Sequence, residues 1–324
     1  MLGFFARTTC IVLAIQAASP ASAVEGPTAA GPIGGTDIGS AVLPPPGLYG
    51  GLVGLGVETR RFVDQHGDTV AALSQSNLSK VAGGPWLLYV SSLEVLGGTV
   101  GIGAVVPSAN QCGHLFAGEP NHCITGIGDP YVEIDWSRTF GKLRASEFAG
   151  ARPILEGFSV LVGIGVVLPL GQYDPSTPTS KALSAGTNIW DVAPSIAVTY
   201  TTPAIFFEGT EFSAKLFWNN YQTNPETDYL AGDLLDVDFA ITEHIGRVQV
   251  GLAGAYAFQI ADDRVSGMTV PPNGNRGELL QLGCVLNYDL PEFASVLKFK
   301  ASTSVVARNT VEYSALVVGW AKKF

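Results

Sequence analysis

Glu133, Asp135, Asp191, Glu211, Lys215, Asp236, Asp238, Arg247, Gln249, Gln281, Lys298 and Lys300 are the residues of this 324-residue chain whose types and spacing could do chemistry. In Glu133 with Asp135, Asp236 with Asp238, and Lys298 with Lys300, like charges recur two residues apart. In an extended chain that spacing puts both side chains on one face. Acids and bases mixed on one face form a hydrogen-bonded network filling a narrow interior, or they line a path that selects what passes. Neither use calls for a cofactor. Cys112, His114, His122 and Cys123 form a second cluster, of residue types that bind zinc. Their spacing matches no trusted zinc motif, so no metal is expected. Two cysteines with ten residues between them in an exported loop more simply form a disulfide. His66 and His244 stand beside no evident serine nucleophile, and neither a phosphate-binding glycine loop nor a G-x-S-x-G elbow occurs. The chain therefore reads as a non-enzyme.

The elements that must position these residues are strands. From Val248 to Ile260 bulky apolar residues fill the even positions except Gly254, while the odd ones are Gln, Gly or Ala. That period-two pattern shows one face to an apolar phase and the other to a narrow or wet interior. Soluble strands run about 5 to 6 residues, whereas a tilted strand needs about 9 to 11 to cross a bilayer. The same reading gives twelve strands at 48–59, 84–92, 96–106, 127–138, 154–168, 189–200, 209–219, 232–241, 247–260, 277–289, 294–306 and 311–324. Five of the six connections on one side are long and rich in Gly, Pro, Asn, Asp and Ser, and four of the five on the other are short. Outer-membrane barrels have this asymmetry, with long loops outside and short turns in the periplasm. The fold class expected is all-β: a transmembrane antiparallel up-and-down β-barrel of about twelve strands, closed by the first pairing with the last.

Composition agrees. Charged residues are 14% of the chain, against about 25% in soluble domains. No window after residue 23 holds about 20 apolar residues free of Gly, Pro and charge, and a closed barrel is the other structure that satisfies its backbone in lipid. Residues 1–23 read as a signal peptide: Arg7 is the positive region, Ile11 to Ile15 opens the apolar core, and Ala21-Ser22-Ala23 is the cleavage site. Residues 24–46 read as a Pro- and Gly-rich periplasmic leader, mostly extended or disordered and too short for a substantial plug. Residues 47–324 are the barrel, placed in the bacterial outer membrane with lipid around it. The net charge of −10 argues against nucleic acid as a partner.

Alternation also assigns faces. Leu235, Val237, Phe239 and Ile241 take the lipid side of the eighth strand, so Asp236 and Asp238 point inward, with Lys298, Lys300 and Arg247 as candidate partners. Cys284, between Leu282 and Leu286, faces lipid as a free thiol. Phe324 ends an alternating strand, as does the signal by which the outer-membrane assembly machinery recognises its substrates. The inward positions Gly163, Gly165, Val167, Gly251, Ala253, Ala255, Gly283 and Val285 are small and leave room for a ligand.

Several segments carry a family resemblance: Leu43-Pro44-Pro45-Pro46-Gly47-Leu48-Tyr49, Gly97-Gly98 with Pro107, Gly126-Ile127-Gly128-Asp129-Pro130, Leu168-Pro169-Leu170-Gly171-Gln172-Tyr173-Asp174, and Gly186-Thr187-Asn188-Ile189-Trp190. Together they resemble the family named for the meta-pathway of phenol degradation, over roughly residues 43–324. The resemblance implies an outer-membrane barrel associated with aromatic-compound catabolism. It brings no catalytic residues. With the small lumen residues it implies a channel for passive uptake of small hydrophobic, aromatic solutes. The alternative is a structural or adhesive barrel whose lumen is plugged and whose outer loops bind a partner.

Overall fold

A computed structural model describes residues 35–148 and 150–324. The expected signal peptide, 1–23, and the first part of the leader lie outside the described residues. Twelve strands form the wall: β1 (Gly47–Val63), β2 (Asn77–Val95), β3 (Gly98–Val105), β4 (Tyr131–Arg144), β5 (Ile154–Val167), β6 (Asp191–Thr201), β7 (Thr210–Tyr221), β8 (Leu234–Ile245), β9 (Val248–Gln259), β10 (Glu278–Leu290), β11 (Ser295–Arg308) and β12 (Thr310–Lys323). Each pairs antiparallel with its neighbours in sequence, and β1 pairs with β12 from Tyr49↔Lys323 to Val63↔Thr310, which closes the sheet. Closure leaves no edge strand with unpaired backbone groups, the condition for a sheet in hydrocarbon.

The faces follow the period of the sequence. On β6 and β7 buried residues alternate with exposed or half-buried ones along nearly the whole strand. Leu52, Ile134, Leu252 and Leu316 are at least half exposed and lie on the outward face, where they form part of an apolar belt. Gly254, the exception in the β9 pattern, is an outward position covered by the Phe239 ring; a Cβ there would stand 2.4 Å from its Cζ atom. No helix among the described residues is long and apolar enough to cross a membrane.

Cys284 is a free, exposed cysteine on this outward face, in register with Leu252 and Ala301. It should resist a charged, water-soluble maleimide in intact membranes and react once the barrel is unfolded in detergent. Labelling of the intact barrel would place it against water and overturn the register of β10.

Three features differ from the sequence reading. First, β1 and β2 run further outward than expected, to Val63 and from Asn77, because β1 goes on pairing with β12 and β2 with residues 108–114; at the opposite rim β4 runs on to Arg144 and β8 to Ile245. Second, part of the expected loop 107–126 is a hairpin, Ser108–His114 with His122–Ile127, that continues β3 past a break at Pro107 and pairs with the outer half of β2. Cys112 and Cys123 face each other across this hairpin and are joined by a disulfide. His114 bonds instead to Asn121 and to the Gln75 carbonyl. Third, residues 36–43, expected in the periplasm, lie inside the barrel.

Candidate functional site

The inward side chains meet across the lumen. Near the middle, Lys215 of β7 donates to Glu133 of β4 at 2.6 Å and stands 3.6 Å from Asp135. Its ammonium also lies 4.8 Å from the centroid of the Phe217 ring. Asp236 and Asp238 are each 1% exposed, so both point inward as the alternation on β8 requires. Lys298 and Lys300 of β11 also point inward.

What answers these charges is the segment before β1. Thr36 donates to Asp238 through its backbone N–H at 2.8 Å and its hydroxyl at 2.6 Å. Asp37, fully buried, accepts from Lys298 at 2.5 Å and Lys300 at 2.8 Å. The Gly39 N–H donates to Glu211 at 2.8 Å, the Ala41 N–H donates to Thr199, and Ser137 donates to the Ala41 carbonyl. Apolar contacts fill the rest. Ile38 packs on Ala240, Ala253 and Val285, and Ala41 with Leu43 packs on Leu161 and Ala197. The small lumen residues thus give room to the chain's own segment, which narrows the lumen at mid-height. The expectation of an extended periplasmic leader is corrected on this stretch. Its backbone N–H groups and Asp37 meet inward charges whose burial without partners would be costly.

The other expected lumen residues are distributed around this centre. Gln281 donates to Ser304 at 2.9 Å, and Gln249 donates to Thr242 at 2.8 Å. Asp191 is buried at the outer end of β6, in register with Tyr221. Arg247, expected as a partner of Asp236 and Asp238, does not reach them. It belongs to the short turn between β8 and β9, where the pleat no longer fixes its side, and it pairs with Glu292 of the neighbouring turn at 2.7 Å. Phe324 follows β12, its backbone N–H bonded to the Leu48 carbonyl and its ring exposed.

The outer mouth is crossed by a strap, 168–190, which no wall residue announced. It carries a short helix, α1 (Pro178–Ala182), whose N-terminus is capped by Thr177 accepting from the Ser180 N–H. Asp129, in the loop before β4, clasps both ends of the strap: one carboxylate oxygen accepts from the Gly171 N–H, the other from the N–H and hydroxyl of Thr187. Gly171 and Gly186 lie so close to this carboxylate that a Cβ on either would come within 2.9 Å of its oxygen. Gln111 of the hairpin donates to the Ser184 carbonyl, and Thr179 donates to Glu119, which ties the strap to the hairpin. Beneath the strap lies a cavity of about 380 Å³. Its wall is formed by Val53, Leu55, Val105, Val167 and the Tyr131 ring, with Lys80 and Lys181 among the few charged groups that reach it.

The residues clasped at Asp129 lie in segments that distinguish a family, and the sequence match is direct: residues 59–319 match the family described as "Putative MetA-pathway of phenol degradation". The chain belongs to this family. The COG4313 outer membrane channel from Pseudomonas putida F1 shares its fold, with a TM-score of 0.71 at 15% identity, covering 89% of this chain and 99% of that one. The transport unit of the autotransporter AIDA-I from Escherichia coli gives a TM-score of 0.48 at 9% identity, over 89% of this chain and 93% of that one. No curated protein matches the sequence. The architecture is that of an outer-membrane β-barrel, and a closed twelve-stranded barrel with an apolar belt places this member of the family in the bacterial outer membrane.

Proposed function

We propose that the protein admits small hydrophobic, aromatic solutes across the outer membrane by passive passage through the barrel. The observation that carries this reading is the cavity under the strap, of a size that suits a small-molecule site and walled mainly by aliphatic and aromatic side chains. A solute entering beneath the strap meets this vestibule first and the segment 36–43 second. The apolar side chains of that segment, Ile38, Ala41 and Leu43, pack on Leu161, Ala197, Ala240, Ala253 and Val285. An apolar solute replaces such contacts at less cost than it would replace charge pairs. Family membership supports the aromatic character of the cargo. Phe324, with an exposed ring at the end of β12, is the residue we assign to recognition by the assembly machinery.

Uptake of a panel of aromatic and aliphatic hydrocarbons by cells with and without the gene tests the reading. Faster entry of the aromatic members is expected where the gene is present. Equal uptake throughout would overturn it. The segment lodged in the lumen favours a second reading, a sealed barrel that serves as a structural or adhesive scaffold through its outer loops. Absence of solute flux through the purified protein in liposomes would favour that one.

A further inference from the structure

Lys80 has no evident place in the network just described. It lies near the outer end of β2, in register with Val57 of β1 and Gln111 of the hairpin, and its side chain lines the vestibule. It is half-buried, and among the described residues it makes no hydrogen bond or ion pair. The acid that shares the cavity wall, Asp129, is already engaged by Gly171 and Thr187. The Gln111 amide is turned to Ser184. The vestibule therefore combines an aliphatic and aromatic wall with an unanswered ammonium group, in a chain whose net charge is −10.

An ammonium held away from bulk water without a counter-ion is costly, and a carboxylate that reaches it regains a charge-assisted hydrogen bond. The remainder of such a ligand must be apolar and small to suit the wall. We infer that the vestibule binds small arenecarboxylates, the ring held against Val53, Leu55, Val105 and Val167 and the carboxylate bound by Lys80. This inference rests on the channel reading, since it takes the vestibule as the chamber a solute enters first, and it names the class of solute held there.

Titration calorimetry with benzoate, and with benzyl alcohol as its uncharged counterpart, on the purified full chain in a nonionic detergent provides the test. Benzoate should bind more tightly than benzyl alcohol. Lys80→Met should weaken benzoate roughly tenfold or more, the scale of one hydrogen bond to a charged group, while leaving benzyl alcohol unchanged. Lys80→Arg should retain benzoate binding. Benzoate affinity equal in the wild type and Lys80→Met, affinity no higher than that of benzyl alcohol, or no benzoate binding at all would each overturn the inference. The channel reading is judged apart from this, by toluene flux into liposomes containing the wild-type protein: flux without a benzoate preference defeats only the inference, and absence of flux defeats the channel reading itself.

Discussion

Exchange of Asp37 for asparagine is expected to raise single-channel conductance in planar bilayers several-fold, with the barrel still folded. Asp37 is fully buried between Lys298 and Lys300, and it is the one carboxylate that the lumen segment contributes to the wall. Asparagine keeps the shape and removes the charge, which leaves two inward ammonium groups facing a neutral amide. Loss of one partner from a buried pair costs about 3–5 kcal/mol, a large share of what a short segment gains by docking. The bonds left to the segment are those of Thr36, Gly39, Ser40 and Ala41 to Asp238, Glu211, Ser213, Thr199 and Ser137, with the packing of Ile38 and Leu43. Water and ions then compete for the lysines, the segment leaves the lumen for part of the time, and the cross-section widens. Asp37→Glu keeps the charge and should stay close to the wild type. Conductance unchanged in Asp37→Asn would mean that packing and backbone bonds alone hold the segment.

The second large effect is expected at Lys215. Its ammonium, 4% exposed, stands 2.6 Å from Glu133 and 3.6 Å from Asp135, and its backbone is in register with Asp238 on β8. Lys215→Met fills a similar volume and removes the positive charge that stands beside Glu133 and Asp135. The uncompensated acids should lower barrel stability by about 3–5 kcal/mol. The readout is the temperature at which the folded, fast-migrating band gives way to the unfolded band in semi-native electrophoresis. Lys215→Arg should recover most of the loss, because a guanidinium reaches both carboxylates. A midpoint unchanged in Lys215→Met would show that water in the lumen already solvates these acids.

The wall was legible strand by strand, for a reason visible on β8. Lipid admits only apolar side chains at Leu235, Val237, Phe239 and Ile241, and the pleat then sends Asp236 and Asp238 inward whatever else the chain does. All twelve strands fall where the alternation puts them, and the error lies at their ends: β1 and β2 run further outward, to Val63 and from Asn77, and β4 and β8 run further inward, to Arg144 and Ile245, where the apolar signal stops but backbone pairing goes on. The cysteine pair was legible from its spacing in an exported loop, although the hairpin that aligns Cys112 with Cys123 was not.

The partners inside the lumen were not legible. Lys298 and Lys300 were matched to Asp236 and Asp238 because all four point inward, yet Asp37, more than 260 residues earlier, takes both lysines. Arg247 enters the same match because the ninth strand is expected to begin on it, but it lies in the turn before Val248, where no face is defined. Sequence alone determined the fold, the number of strands and which side chains face inward, because lipid imposes a local period of two on each strand independently. Tertiary structure alone decided that residues 36–43 fill the lumen, that Asp129 clasps the strap at Gly171 and Thr187, and that Lys80 is left facing an apolar vestibule. Those contacts join residues distant in the chain inside a polar interior, where many acids and bases could satisfy one another equally well and no periodicity marks the pairs that do.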